Sequence, residues 1–385
     1  MKIAFYSAQT LEHGGGLEKY YLETASELTV RYEDVSSDIV TNGGNFARIL
    51  AIILGLYYGG ISKEVESHAN ILDRLSGDVR YIKARTFTEL RRVLSQYDVI
   101  YSKNEVLELG ILWLLGIKNL PPIVIGCHTP LEYPNPASIR SRIKNHLYGG
   151  SVYKALCTRV SAVHVLNATD RMHAERISNA VYMIPNPFDA SKFRSLSEIN
   201  APQAINLDHL KFNIAWVGRL AEYKGVKELL SIIEAYNSQR ETGFRVSWHI
   251  FGDGDYRQEV ISAASDNRDL HFHGFIPYER LAATLRQCDL LISTSRAESM
   301  GYNILEAVSL GLPVIAFDIP GPKDIVIEGV NGFLVKSIDS FLERIEFFVR
   351  GDTLPNLGGG MDRFIPERIY DDIMSVLKDT ASSRK

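Results

Sequence analysis

The sequence predicts an α/β protein built from two doubly wound, Rossmann-like parallel-sheet domains. Short apolar runs of strand length alternate with amphipathic helical patterns through both halves of the chain. A turn containing glycine follows the first strand of each half, where a doubly wound sheet meets its ligand. Size agrees, because 385 residues is two or three domains at roughly 150 residues each.

In the first half, residues 2–7 read as a strand and 17–28 as the helix after it. Residues 38–41, 98–101, 123–126, 162–166 and 181–184 are the further strands. The second half opens on a strand at 213–217 and a helical pattern at 226–235. Strands at 246–251, 270–273, 290–293 and 313–316 follow. The polar stretch 193–210, with Pro202 and little periodicity, marks the boundary between domains. A second break is the G-D-T-L-P-N-L-G-G-G run at 351–360, followed by a terminal helix at 368–377. The expected division is therefore 1–195 with a returning helix in 366–385, and 196–365. No repeat of 20–50 residues is evident beyond the shared strand–helix rhythm.

Lys and Arg number 42 against 46 Asp and Glu, a net charge of −4, which gives no reason to expect a nucleic-acid partner. Three cysteines, Cys127, Cys157 and Cys288, form no C-x-x-C pair and no zinc-spaced cluster, so a reducing, cytoplasmic setting is expected. The first residues enter a strand without a signal-peptide pattern. The longest apolar stretch, 49–60, is too short for the ~20 residues that span a bilayer.

The densest chemistry lies between Ser293 and Pro313. Glu298 and Glu306 flank Gly301 in an E-x7-E arrangement, with a strand ending near Ser293 and a helix starting near Tyr302. N–H groups at such a helix start can hold a phosphate, and the two carboxylates can accept from sugar hydroxyls on either side. That combination suits a nucleotide-activated sugar. For an isolated E-x7-E, a pair of solvated or helix-capping glutamates is the commoner outcome. The rest of the second half changes the balance. Gly218-Arg219-Leu220 and Tyr223-Lys224-Gly225 follow its first strand, putting two cations where a diphosphate leaving group would gather charge.

In the first half, His13-Gly14-Gly15-Gly16 follows the opening strand but has neither dinucleotide-fingerprint nor P-loop spacing. His128 ends another strand, and a lone histidine there is more often structural than catalytic. Asp253-Gly254-Asp255 has the D-x-D form of a metal site but follows an apolar strand within F-G-D-G-D. With Arg219 and Lys224 present, no metal is expected.

Taken in order, G-G-x-E, the strand-ending His128, I-P-N-P-F-D (184–189), V-G-R-L…K-G, F-G-D-G-D, H-G-F-I (273–276) and E-x7-E-A…G-L-P-V-I-A resemble glycosyltransferase family 4. The resemblance spans nearly the whole chain and is densest from Asn213 to Val335. It implies the GT-B fold, two Rossmann-like domains facing a deep cleft with the C-terminal helix returning to the first. It also implies a retaining, nucleotide-sugar-dependent transfer to a hydroxyl of a glycan or lipid-linked acceptor, in polysaccharide or glycoconjugate assembly. Carried over by position, Arg219 and Lys224 grip the donor diphosphate, with Gly218 at the turn before them. Glu306 holds the ribose and Glu298 contacts the transferred sugar. Met300, Gly301, Tyr302 and Asn303 offer backbone groups, and Ile276 reads the base through its main chain. Gly15 and Gly16 meet the diphosphate from the other domain, and His128 lies near the donor sugar. No cofactor is implied. Two departures stand out: Glu298 is followed by Ser-Met-Gly where E-G-F-G is usual, and 98–103 ends Y-S-K-N where many relatives have a histidine.

No carboxylate is singled out as a nucleophile, so a front-face transfer is expected rather than double displacement. Two rival readings stay open: a non-catalytic nucleotide-sugar-binding subunit, and a GT-B epimerase or phosphorylase. The run 133–169 holds no acidic residue but contains Arg140, Arg142, Lys144, Lys154 and Arg159. With the apolar 49–60 segment it reads either as a peripheral contact with an anionic membrane or as a solvated face beside a core helix.

Overall fold

The computed structural model describes residues 1–8, 16–42, 78–132, 139–200, 202, 204–238 and 246–383. Gly15 and the apolar 49–60 segment lie outside the described residues, as do the side chains of Arg140 and Lys144. The chain divides into two compact units, Met1–Asn186 with Glu367–Lys385, and Pro187–Pro366.

The first unit runs β1 (Lys2–Ser7), α1 (Gly16–Arg31), β2 (Ser36–Asn42), β3 (Tyr81–Ala84), α2 (Phe87–Leu94), β4 (Val99–Lys103), α3 (Val106–Leu114) and β5 (Ile123–Cys127). It continues with α4 (Ile139–Gly149), α5 (Ser151–Cys157), β6 (Ala162–Val165), α6 (Ala168–Ala174) and β7 (Val181–Met183). Its strands form one parallel sheet in the order β3-β2-β1-β4-β5-β6-β7. Strands β4, β5 and β6 are buried along their whole length, as strands covered on both faces must be.

The second unit holds α7 (Ala190–Ile199), β8 (Phe212–Val217), α8 (Val226–Ser238), β9 (Val246–Phe251), α9 (Arg257–Asp266), β10 (Leu270–Gly274), α10 (Tyr278–Leu285) and β11 (Leu290–Ser293). After these come α11 (Tyr302–Ser309), β12 (Val314–Phe317), α12 (Pro322–Ile325), β13 (Gly332–Val335) and α13 (Ile338–Val349). Its parallel sheet has the order β10-β9-β8-β11-β12-β13. Helix α7 packs on α10 and α11, so the unit boundary at Asn186 falls before this helix, whereas the sequence division at 195 cuts through it.

In both sheets the strand order reverses beside the first strand, between β1 and β4 and between β8 and β11. One device pins both central pairs. The Asp98 carboxylate accepts from the Lys2 N–H at 2.7 Å, and Asp289 accepts from the Asn213 N–H at 2.7 Å. Each aspartate stands just before the fourth strand of its sheet and reaches the start of the first. The crevices that open at the opposite, C-terminal ends of these pairs are the ligand positions of a doubly wound sheet.

Helix α14 (Pro366–Ser382) buries Ile369, Tyr370, Ile373, Met374, Val376 and Leu377 among Ile3, Phe5, Tyr21 and Leu28 of the first unit. Fully burying one such aliphatic side chain is worth about 1.5–3 kcal/mol, enough to hold a terminal helix. In the second unit Trp248 is fully buried and meets the Tyr236 ring edge-on, centroids 5.7 Å apart. Strands β3 and β13 were not expected from sequence. Both are short edge strands, and such strands give little alternation to read.

Candidate active site

The second unit's crevice begins where β8 ends. The Gly218 N–H donates to the Phe251 carbonyl at 3.0 Å and the Leu220 N–H to Asp253 at 2.9 Å, so the β8 turn is knitted to the loop after β9. Arg219 projects between these bonds with its side chain exposed. A single 3-10 turn, Glu222–Lys224, then brings the chain back.

Lys224 is held by its own main chain. The Thr294 hydroxyl donates to the Lys224 carbonyl at 3.0 Å and accepts from the Trp216 indole N–H at 2.9 Å. Thr294 is fully buried. Gly225 makes this approach possible: its φ is +70°, and a Cβ there would lie 1.8 Å from the Thr294 carbonyl oxygen.

From that fixed position the Lys224 ammonium forms an ion pair and hydrogen bond with the Glu298 carboxylate. Both side chains are largely shielded, at 18% and 19% exposure. Burial alone would lower the Lys224 pKa, and neighbouring Arg219 pushes the same way. The Glu298 charge and hydrogen bond outweigh both, so the pKa stands above that of an ordinary lysine. The ammonium is therefore fully charged at neutral pH. Tyr223 adds its ring 5.6 Å from the ammonium.

Gly301, at φ +98°, forms the N-cap of α11 and contributes no side-chain cap. Asn303 in its first turn donates through Nδ2 to the Val217 carbonyl at 3.0 Å, which fixes the helix start beside the end of β8. Glu306 is buried on the same helix. Half-buried Ile276 follows β10 at the sheet edge. The structure thus places Gly218, Arg219, Lys224, Ile276, Glu298, Met300, Gly301, Tyr302, Asn303 and Glu306 after the C-terminal ends of one sheet's strands. It joins Lys224 directly to Glu298. Asp253 is otherwise engaged: it accepts from the Gly254 N–H at 2.8 Å and from Arg257 at 2.7 Å.

His128 belongs to the first unit, immediately after β5. Its Nε2 lies 2.9 Å from the Tyr101 hydroxyl, and its ring packs on Tyr20 with centroids 4.2 Å apart. Burial, reinforced by His164 and Lys103, holds its pKa well below the usual histidine range. Gly16 opens α1. Arg142 on α4 is exposed.

Sequence reasoning missed Thr294, whose only mark is its place in the S-T-S run after β11. It also missed Arg296, which pairs with Glu228 on α8. Tyr101 and His164 gave no motif signal, because both look like ordinary strand residues.

Two parallel sheets with this strand order, each covered by helices, define the GT-B fold. The solved lipopolysaccharide outer core galactosyltransferase WaaB, apo form, superposes with a TM-score of 0.70 at 16% identity, covering 98% of this chain and 99% of that one. Anabaena HepE in complex with UDP gives 0.69 at 19% identity, over 98% and 100%. Residues 198–356 match the family model of glycosyl transferases group 1. The D-inositol 3-phosphate glycosyltransferase of Corynebacterium efficiens is 26% identical over 379 residues, 89% of this chain and 85% of that protein. The poly(ribitol-phosphate) alpha-N-acetylglucosaminyltransferase of Staphylococcus aureus is 25% identical over 181 residues, 44% of this chain. This match spans only 35% of the S. aureus protein, about a third of its length.

Proposed function

We propose that the chain is a retaining, metal-independent glycosyltransferase of family 4 type. It moves a sugar from a nucleoside diphosphate sugar to a hydroxyl of a glycan or lipid-linked acceptor. The observation that carries this reading is the shielded Lys224–Glu298 pair beside Arg219, at the switch point of the second sheet. An ammonium already desolvated and held by its backbone gains most when negative charge develops on a diphosphate. The UDP bound by HepE and the sugar transfers named for the relatives support a nucleotide-sugar donor.

In the transfer, the bond between the anomeric carbon and the diphosphate oxygen breaks as the acceptor oxygen bonds to the same face of that carbon. The acceptor's proton passes to the departing phosphate oxygen. Lys224 and Arg219 stabilise the diphosphate, while Glu298 accepts from a hydroxyl of the moving sugar. Glu306 accepts from the ribose, and backbone groups at 300–303 and Ile276 orient phosphate and base. Asp253, satisfied by Arg257 and Gly254, supports a reaction that needs no divalent cation.

The same reading puts the protein in the cytoplasm, with a peripheral contact between an anionic membrane and the basic helix α4 through Arg140, Arg142 and Lys144. The exposed Arg142 supports that contact. Incubating the protein with UDP-, GDP-, ADP- and dTDP-sugars tests the reading. One donor is expected to release its diphosphate and leave a product of unchanged anomeric configuration by NMR. Tight nucleotide binding without turnover would instead favour a non-catalytic binding subunit.

A further inference from the structure

A chain of buried polar groups in the first unit assigns the tautomer of His128. It starts at a group that can only accept: the Ile184 carbonyl lies 2.7 Å from His164 Nε2, so that nitrogen carries a proton. Burial pushes the His164 pKa down to about 4, so the ring is neutral and its Nδ1 is a bare lone pair. Nδ1 lies 2.6 Å from the Tyr101 hydroxyl, which must donate to it. With its one proton spent, the Tyr101 oxygen can only accept from His128, 2.9 Å away at Nε2. His128 is therefore protonated at Nε2, and its buried Nδ1 is a lone pair. The Asn186 side chain lies against this ring and, opposing burial, favours its protonated form. The opposite polarity would need a charged His164 imidazolium in a fully buried site, which desolvation forbids.

The result is a one-way chain, His128 to Tyr101 to His164 to Ile184. It ends on the I-P-N-P-F-D segment. Among the described residues, the Tyr20 ring from α1 and Lys103 from β4 also face His128, and neither offers a negative charge to stabilise an imidazolium.

We propose that Tyr101 and His164 are positioning residues that hold His128 as a neutral ring protonated at Nε2, so that it enters the site as an uncharged group and takes no proton from the acceptor. The inference rests on the reading of His128 as a residue of the transfer site. It leaves the proton of the acceptor hydroxyl to the departing phosphate.

The test is long-range 1H–15N NMR of the full chain labelled at histidine, with the His128 signals assigned by their loss in His128→Gln. From pH 5.5 to 8, His128 is expected to keep one protonated-type nitrogen at Nε2 and one bare nitrogen at Nδ1. His164→Gln, whose amide can still accept from Tyr101 and donate to Ile184, is expected to leave that signature intact. Tyr101→Phe is expected to mix the two tautomers. Asn186→Asp, by placing a carboxylate against the ring, is expected to convert it to imidazolium. A wild-type ring protonated at Nδ1, or one that titrates between pH 5.5 and 8, would overturn the proposal. These signatures are read without donor or acceptor, so a failed transfer assay does not affect them. If transfer is found, a pH–rate profile lacking a His128 ionisation is the matching kinetic result.

Discussion

Lys224 and Glu298 meet across the C-terminal ends of β8 and β11, the one from the turn after the first strand and the other from the loop after the fourth. Thr294 and Gly225 fix the backbone of the lysine, so the pair is a built feature of the switch point. On the proposed function, an incoming diphosphate competes with Glu298 for the ammonium and releases the carboxylate to the sugar.

Removing the cation should therefore damage the chemical step most. Lys224→Ala is expected to lower kcat by about 10²–10³-fold, the usual cost of one preorganised stabiliser of developing charge. In Glu298→Gln the competitor is gone, so nucleoside diphosphate affinity should hold or rise while turnover falls at least ~10-fold. Steady-state kinetics and calorimetry on both variants check this, and weaker nucleotide binding by Glu298→Gln would contradict the exchange.

The Gly225 contact has a structural consequence. Gly225→Ala forces a Cβ against the Thr294 carbonyl at a φ that L residues avoid, at a cost of at least about 2 kcal/mol. At roughly 2–4 °C per kcal/mol for a domain of this size, Tm should drop by about 4–8 °C. An unchanged melting temperature would mean that the backbone of Lys224 is not held as described.

Acid should destabilise the second unit through a stack of histidines. His249 donates through Nε2 to Asn213 Oδ1 at 3.0 Å, so its Nδ1, 3.0 Å from His273 Nε2, accepts. Burial first, then neighbouring positive charge, lowers the His249 pKa to about 3 and the His273 pKa to about 4; His271 is shifted down as well. A depressed histidine pKa favours the folded state above the unfolded value near 6.5. That contribution is lost as pH falls through 6.5 toward 4 and below. Lys211, Asp269 and Arg280 also face the stack and are included in these shifts. Melting curves from pH 7 to 4 should fall, and His249→Gln should flatten part of the fall. Since His164 titrates in the same window, some acid sensitivity should persist in the variant.

Asp253 makes the proposed metal independence testable. With one oxygen on Gly254 and the other on Arg257, it needs no cation for satisfaction. Turnover is expected to be unchanged in EDTA, and Asp253→Asn should retain most activity. Dependence on Mg²⁺ or Mn²⁺ would contradict the reading.

Most of the architecture was legible because buried parallel strands announce themselves as continuous apolar runs, β4 and β11 being clear cases. The edge strands β3 and β13 were not, since four residues each give too little alternation to read. Arg219, Lys224 and Glu298 stood out because residues beyond strand ends carry side chains that no core needs, and Glu306 stood out by its spacing from Glu298. Thr294 and Tyr101 stayed hidden for the opposite reason. Their work lies in one hydroxyl each, and which group that hydroxyl meets is set by distant segments such as Lys224 and His164.

The central claim is that the Lys224 site holds a nucleoside diphosphate, and isothermal titration calorimetry of UDP, GDP, ADP and dTDP tests it most directly. One nucleotide is predicted to bind the wild-type chain with one-to-one stoichiometry, and to bind Lys224→Ala at least ~10-fold more weakly. Absence of binding by all four, or equal affinity in the variant, would contradict the account.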